Sequence, residues 1–395
     1  MRRSAVATAL VAVFVSYLGT PAAVEAGGYS ETDLVANVTP LTDKNRIEHK
    51  ATILDPDLVN PWGISESATS PFWVSDNGTG VSTLYNSTTN NPIAKNPLVV
   101  SIPTCDDPLG RSGKPTGTVF NINGGPTGGF RISGVDIHNN PTSASAVFLF
   151  ATEDGTIVGW NPGVNPKNFD PNKAGTYGII ALPDCPLAAN AAAYKGLAIA
   201  RDSNGTTRLY ATNFRSGMVE VYDNTFHAVG SGTRFVDPNL PAAFSPFNVA
   251  VIGGRLFVTF AIRNPATGDN VPGKGSGIVD VFDLDGTNLQ RFAEGGPLKA
   301  PWGMAVAPSN FGALAGKLWI GNFGDGQINA FNLDSDAFGA FIDKVRDPKG
   351  KPLVIDGLWA LQVGNGGNGG LTNTLYFTAG PNDEKDGLFG SLSPR

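Results

Sequence analysis

The chain has 395 residues, of which 16% are charged, and it contains 50 glycines and 29 prolines. This composition favours many strands joined by tight turns. The net charge of -6 provides no basic surface for phosphate groups, which argues against binding to nucleic acid or to an anionic membrane.

The first 26 residues have the pattern of a secretory signal peptide. Arg2 and Arg3 precede an apolar run from Ala5 to Leu18, and small residues lead up to Ala26. A basic start, a short apolar run and a small-x-small cleavage site define such a signal. We therefore predict a signal peptide over residues 1–26 and a single exported domain over 27–395, periplasmic or extracellular. No later stretch approaches the roughly 18 apolar residues of a membrane helix, so no membrane span is predicted.

Six segments of the remaining chain repeat the same order of features. In the first segment, the strand-like strings NPWGIS, PFWVSD and STLYN follow one another, and the fifth segment has APWGMA, KLWIGN and INAFN. Their alternation and their aromatic and β-branched residues are typical of strands rather than helices. The intervals between repeats are 52 to 71 residues, counted between the anchor residues Gly63, Gly134, Gly196, Asn248, Gly303 and Gly357.

The repeats predict an all-β fold, a six-bladed β-propeller with four antiparallel strands per blade. Two stacked sandwiches are the alternative architecture. The last repeat ends almost at the C-terminus, so its fourth strand is expected from the N-terminal segment Asp33–Val38. The ring would then be closed by both ends of the chain, which hides the edges of the sheets.

The sequence contains two cysteines, Cys105 and Cys185, in the similar contexts SIPTC and ALPDC. In an oxidising compartment such a pair is a candidate disulfide. Two unlinked buried cysteines are the alternative, because the sequence does not give the Cα separation that a bridge requires.

Polar candidate residues gather at one face of the predicted ring, at the loops that lead into the inner strand or join the second and third strands. Asn or Asp directly before glycine is explained by hairpin turns. Residues that end a strand have no such explanation, because Asp and Asn are depleted there. The ligand-binding candidates on this face are Asn60, Asp76, Glu153, Asn213, Arg215, Asn248, Arg263, Asn322 and Asp356.

Trp62 and Trp302 occupy matching positions of repeats one and five, 240 residues apart. A Trp on an inner strand either packs in the core between blades or forms the wall of a ligand site, and both interpretations stay open. Asn60 is the stronger candidate, since repeat five has Ala300 in its place and the repeat itself does not require an asparagine.

An acidic segment near the C-terminus, PNDEKDG, is a candidate calcium site. Calcium binds six to eight oxygen atoms from carboxylates, amides and carbonyls. A solvated charged turn is the alternative interpretation. The candidate metal ligands are Asp356, Asp383, Glu384 and Asp386.

The strings NPWGI, ATEDGTIVGWNP, NFRSG, GNFGDGQINAF and LYFTAGPNDEKDGLFGS together resemble a family of exported bacterial propeller proteins described as conserved hypothetical. The resemblance covers residue 33 to the end. It implies a six-bladed propeller of the NHL and gluconolactonase-like type. No catalytic residues are carried over, and the cysteine pair is not part of the family pattern.

Two functions remain open from the sequence. The first is a non-catalytic, monomeric protein that binds a small molecule, a glycan or a protein on its polar face, with the long loop Arg263–Gly277 as a lid or partner-binding segment. The second is a calcium-dependent hydrolase of lactones or esters, in which the ion would stabilise the developing oxyanion.

Overall fold

The computed structural model describes residues 27–395 except 91, 109, 165–176, 184–191, 203, 231–233 and 272–276. Its main sheets form six blades, and the six inner strands contact one another in a closed cycle. The predicted six-bladed β-propeller is therefore confirmed. The described residues include no helix with the length and hydropathy of a membrane span. The predicted signal peptide and Cys185 lie outside the described residues, so export and the disulfide stay predictions.

The N-terminal strands and the first three blades follow one another along the chain. The N-terminal strands are β1 (Tyr29–Ala36), β2 (Leu41–Thr42), β3 (Glu48–His49) and β4 (Ile53–Leu54). Blade one contains β5 (Pro61–Ser65), β6 (Phe72–Asp76), β7 (Val81–Asn86) and β8 (Ala94–Ser101). Blade two and its inserted hairpin contain β9 (Pro115–Phe120), β10 (Arg131–Val135), β11 (Pro141–Ser145), β12 (Phe148–Thr152), β13 (Thr156–Trp160) and β14 (Ile179–Pro183). Blade three contains β15 (Tyr194–Arg201), β16 (Thr207–Asn213) and β17 (Met218–Tyr222).

The last three blades have the same antiparallel order, with the inner strand first. Blade four contains β18 (Phe244–Ile252), β19 (Arg255–Ile262), β20 (Ile278–Phe282) and β21 (Gln290–Glu294). Blade five contains β22 (Pro301–Val306), β23 (Leu318–Asn322), β24 (Ile328–Phe331) and β25 (Phe341–Lys344). Blade six contains β26 (Leu358–Val363), β27 (Leu375–Ala379) and β28 (Leu388–Pro394). Short 3₁₀ turns cover Gly312–Leu314 and Ser335–Ala337, and a turn with non-helical backbone covers Pro381–Glu384.

Both ends of the chain close the ring, as the sequence predicts. β1 pairs antiparallel with β28 from Tyr29 opposite Pro394 to Ala36 opposite Leu388. β1 is thus the fourth strand of blade six, and the short β4 adds a parallel pairing outside it. The apolar residues of β1 are buried, so closure joins hydrophobic packing to main-chain hydrogen bonds.

The sequence-based alignment of blade two was wrong. The segment from Ile132, with Gly134 as its anchor, forms the separate hairpin β10–β11 rather than an inner strand. The inner strand is β9, and Gly117 is the residue that corresponds to Gly63. A Cβ atom on Gly117 would lie 2.3 Å from the Leu197 nitrogen of the next inner strand, which is closer than any side chain tolerates.

Hydrophobic packing joins the blades into one body. Six clusters of buried side chains occur among the described residues, and each lies where neighbouring blades meet. The cluster at blades six and one also extends into the central channel through Trp62, Trp302 and Trp359. The channel is therefore filled by side chains on part of its length.

Candidate functional site at the mouth of the central channel

Every inner strand carries a register shift near its beginning. In blade five, for example, Pro301 faces Asn322 and Gly303 faces Gly321, so Trp302 is the residue at the shift. Such a bulge changes the direction of a side chain relative to its neighbours. The residues at this position in blades one to six are Trp62, Thr116, Lys195, Phe247, Trp302 and Trp359.

The aromatic members of this set close the channel. The Trp62 and Trp359 rings are stacked with their centroids 3.5 Å apart, and Trp302 meets both edge-on at 6.0 Å and 5.8 Å. All three indoles are buried. Trp62 and Trp302 are therefore core residues within the channel, and their rings do not provide an exposed stacking wall.

A cavity of about 450 Å³ lies beyond these rings, along the later residues of the inner strands. Its lining includes Ser65, Glu66 and Gln362. The residues before the rings and the loops between the second and third strands lie at the opposite end, which we call the mouth of the channel. The aromatic rings therefore separate the cavity from the mouth.

The mouth contains a connected set of polar side chains that we call the mouth cluster. The Lys195 ammonium forms ion pairs with Glu153 and, at 2.8 Å, with Asp269. Asn77 donates to the second Glu153 oxygen at 2.8 Å. The mouth cluster consists of Asn60, Asn77, Glu153, Lys195, Asp269 and Glu384.

Asn60 links the mouth cluster to the aromatic rings. Its Nδ2 donates to Glu384 Oε2 at 3.0 Å and lies 3.4 Å from Asn77 Oδ1, while its Oδ1 accepts from Trp359 Nε1 at 2.9 Å. Asn60 and Ala300 share a left-handed backbone, with φ of 46° and 47°. The backbone conformation is thus common to both blades, whereas the polar contacts depend on the asparagine side chain.

Lys195 is a charged residue whose side chain is almost completely buried. Its side chain is 3% exposed, and its Nζ lies 5.0 Å from the centre of the Trp62 ring. Burial acts to lower the pKa of Lys195, but the attraction of Glu153 and Asp269 outweighs it, so the pKa is raised above its usual value. The ammonium therefore keeps its charge inside the mouth cluster.

Glu384 titrates near neutral pH. Burial raises the pKa of its carboxyl to about 7, and the negative charges of Glu153 and Asp269 act in the same direction. Lys195 and the Asn60 amide oppose this shift without cancelling it. A carboxyl group of this kind can give or take a proton at physiological pH.

The backbone that carries Glu384 is strained. Asn382, Asp383 and Glu384 are consecutive left-handed residues with φ of 58°, 56° and 66°. This conformation costs roughly 1–2 kcal/mol for a residue with a Cβ atom. The turn is held by the Asn382 amide, which donates to Asp356 Oδ2 at 3.0 Å. Strain that the surrounding structure maintains is typical of functional sites.

We expect Glu384→Gln to stabilise the protein in a pH-dependent way. The carboxyl pKa is 4.5 in its ordinary state and about 7 in the fold, so the folded chain holds this proton more tightly. The contribution of this group to stability is present below pH 4.5 and is lost as the pH rises through 7. The variant should therefore gain on the order of 1 kcal/mol over the native chain at pH 8, and less at pH 4.5.

Thermal unfolding at both pH values measures this difference. Glu48→Gln is the matched control, because the Glu48 side chain is 51% exposed and pairs only with Lys50 among its described contacts. An equal effect of Glu384→Gln at the two pH values would contradict the raised pKa.

Three predicted strand-end residues have partners within their own blades. Asp76 is buried and accepts from the Thr83 amide at 2.9 Å and from its hydroxyl at 2.7 Å. Asn213 accepts from the Ala193 main-chain amide, and Asn322 accepts from the Lys299 main-chain amide. Both donors lie just before the inner strand of the same blade. These contacts hold the loops in place, and they do not bring the three side chains into the mouth cluster.

The other predicted ligand-binding residues lie outside the mouth cluster as well. Asn248 donates to the Trp302 carbonyl at 2.7 Å and lines the cavity beyond the rings. Arg215 is exposed, and Arg263 forms an isolated bridge with Asn270 in the blade-four loop. Of the nine candidates, Asn60 and Glu153 are the two that belong to the mouth cluster.

The four residues predicted as calcium ligands already contact ammonium or amide groups. Asp356 pairs with Lys44 at 2.6 Å, and Asp386 accepts from Asn37 at 3.1 Å. Asp383 is 81% exposed and Glu384 faces Asn60. Within the described part of the chain, these four do not form a group of three ligand atoms within 4.8 Å of one another.

At Glu153 and Asp269 the ammonium of Lys195 already supplies the cation. These donors do not fit calcium in this arrangement, so the calcium site stays a prediction without structural support.

Lys195 and Asp269 are not among the site residues predicted from the sequence. Lys195 replaces an aromatic residue at a position where four other blades have Trp or Phe, and this departure was a usable signal. Asp269 lies in the long blade-four loop and reaches Lys195 across 74 residues of sequence. No local pattern predicts that contact.

Two uncharacterised proteins of Acanthamoeba polyphaga mimivirus are similar to this chain. One is 31% identical over 353 residues, which cover 87% of this chain and 77% of the viral protein. The other is 33% identical over 343 residues, which cover 86% and 81%. The chain belongs to the family of these viral proteins. A comparison with protein-family profiles gave no match. The bacterial origin implied by the sequence resemblance stays a prediction.

Several solved structures share a low similarity with the chain. Virginiamycin B lyase of Staphylococcus aureus has a TM-score of 0.46 and 12% identity, covering 93% of this chain and 99% of that chain. A gluconolactonase of Xanthomonas campestris has a TM-score of 0.36 and 17% identity, covering 63% and 82%. The PQQ-bound aldose sugar dehydrogenase of Streptomyces coelicolor has a TM-score of 0.44 and 14% identity, covering 93% and 99%. These values carry no argument about activity, and the architecture rests on the strand pairing of the chain itself.

Proposed function

We propose that the protein binds a small polyhydroxylated molecule, such as a sugar or a short glycan, at the mouth cluster. The observation that carries the proposal is the buried Lys195 ammonium held between Glu153 and Asp269, beside a strained turn that presents Glu384. A buried charge network next to strained backbone lowers the free energy of unfolding, so its presence supports a functional role.

The charge and shape of the mouth favour a neutral ligand. Glu153 and Asp269 carry two negative charges against the single positive charge of Lys195, so the excess charge repels anions. Carboxylate and amide groups pair readily with hydroxyl groups. Phe323 is half-buried and stacks on Trp359 at 4.0 Å, which provides an aromatic face at the same end of the channel.

Binding can be measured by the fluorescence of the indoles, since Trp62 lies 5.0 Å from the Lys195 ammonium. We expect a panel of monosaccharides and oligosaccharides to contain a ligand that changes this signal. Asp269→Asn should weaken its affinity roughly tenfold or more, because it removes a charged hydrogen-bond acceptor. Asp336→Asn, at an exposed site outside the mouth, is the matched control.

Two results would end the proposal. One is a complete panel without binding, and the other is a ligand whose affinity is equal for Asp269→Asn, Glu153→Gln and the native chain. Calorimetry gives the same comparison without relying on fluorescence.

Hydrolysis of lactones or esters is a second candidate, and the raised pKa of Glu384 is the observation that favours it. A carboxyl group with a pKa near 7 suits general acid–base catalysis at neutral pH. Turnover of a lactone and aryl-ester panel, with and without calcium, tests this function. If the native chain hydrolyses a substrate of the panel and Glu384→Gln does not, the result supports catalysis by Glu384. If no substrate is hydrolysed, the hydrolase function is contradicted.

A further inference from the structure

A second group of titratable side chains lies on the N-terminal strands, outside the mouth cluster. Glu31 and Asp33 are alternate residues of β1, so they point to the same side of the strand. His49 lies on β3, and Asp43 lies in the turn between β2 and β3. His49 and Asp43 are buried.

Three potential ligand atoms in this group converge. One ligand atom each of Glu31, Asp33 and His49 lies within 4.8 Å of the other two. His49 Nδ1 is 3.0 Å from Asp33 Oδ1 and 3.7 Å from Glu31 Oε1. Two ligands bound at about 2.0–2.2 Å to a tetrahedral zinc ion are about 3.3–3.6 Å apart, so one of the two observed distances is shorter than this range and the other is longer.

An independent observation concerns Glu31. Its Oε1 atom is buried and has no hydrogen-bond partner among the described residues. An unsatisfied buried carboxylate oxygen is unfavourable, and such atoms call for an explanation such as an ion. A cation between Glu31 and His49 would satisfy this oxygen.

The other nitrogen of His49 faces a fixed carboxylate. Nε2 lies 3.8 Å from Asp43 Oδ2, and the Asp43 side chain is fully buried. Asp43 is held by the Ile47 amide at 2.8 Å and by Asn45 at 3.3 Å. Histidines that bind metal through one ring nitrogen commonly direct the other towards a carboxylate, which fixes the ring orientation.

We propose that Glu31, Asp33 and His49 form a binding site for one divalent ion of the zinc class, with water at the remaining position. His49 binds through Nδ1, and Asp43 orients its ring. The ion would connect β1, which closes the ring, to the β2–β3 hairpin. Metal binding is then coupled to the stability of the closed propeller.

The experiment is a titration of the metal-free full chain with Zn²⁺, followed by calorimetry and by thermal unfolding. We expect one Zn²⁺ per chain and a higher melting temperature. Co²⁺ in its place should give the visible absorption of a four-coordinate site. Glu31→Gln should lower the Zn²⁺ affinity at least tenfold and remove this absorption, whereas Glu48→Gln, an exposed neighbour of His49, should change neither.

Asp33→Asn provides a second ligand variant if Glu31→Gln does not fold. The exposed His138 and His227 remain in every variant, so weak surface binding is common to all of them. The proposal is overturned if the native chain shows no stoichiometric Zn²⁺ binding. It is also overturned if both ligand variants bind Zn²⁺ and Co²⁺ as the native chain does.

Discussion

Deletion of residues 27–38 is expected to abolish cooperative folding of the whole propeller. The deletion removes β1, whose Tyr29, Leu34 and Val35 are buried. Burial of three such side chains contributes about 5–9 kcal/mol, which is comparable with the entire stability of many domains. The deletion also exposes the main-chain edge of β28 and the side chain of Phe389, which is buried in the native chain. Circular dichroism and a urea titration measure the loss.

A pair of point variants separates closure from other effects of the deletion. Val35→Asp places a charge at a fully buried position of β1, whereas Val38→Asp changes a residue that is 41% exposed two positions beyond the end of the strand. We expect the first to unfold the protein and the second to leave its melting temperature within a few degrees. A shortened chain that melts at the native temperature would refute closure by β1.

Trp359→Ala is expected to have the second large effect. Trp359 is fully buried between Trp62 and Phe323, and it donates to Asn60. Truncation of a buried Trp costs roughly 3–5 kcal/mol of unfolding free energy. The variant also removes the partner that fixes Asn60 and opens the barrier between the mouth and the cavity. We therefore expect weaker ligand binding as well as lower stability.

Trp319→Ala is the matched control for this variant. Trp319 is equally buried but lies in the cluster between blades five and six, and its indole nitrogen has no hydrogen-bond partner within the described part of the chain. Urea unfolding should show a comparable loss of stability, while acrylamide quenching of the remaining indoles should increase only for Trp359→Ala. An unfolding free energy within about 1 kcal/mol of the native value would contradict the role assigned to Trp359.

The repeats predicted the number of blades and the closure of the ring, because strand alternation and turn residues recur locally in each blade. The prediction was wrong for blade two, because the strand-like sequence of the hairpin β10–β11 was taken for the inner strand. Gly117 is identified as the true anchor by its distance from Leu197, which belongs to another blade. A contact of this kind leaves no periodic pattern in the sequence.

The candidate site was predicted less completely than the fold. Asn60 was singled out as a residue that the repeat does not require, and the structure places it in the mouth cluster with Glu153, another predicted residue. Asp76, Asn213 and Asn322 were chosen by the same reasoning, yet their hydrogen bonds hold their own blades. A polar residue at a strand end has the same appearance in sequence whether it binds a loop amide or faces the channel.

Local sequence patterns were sufficient to predict the all-β architecture, the six repeats and the strand that closes the ring, since these depend on short-range alternation and on turn chemistry. The side chains that meet at the mouth could be identified only from the three-dimensional arrangement of the blades. Lys195, Glu153 and Asp269 come from three different blades, and Glu384 reaches Asn60 from the far end of the chain. Their proximity follows from the radial closure of the propeller, which brings residues together that no sequence interval relates.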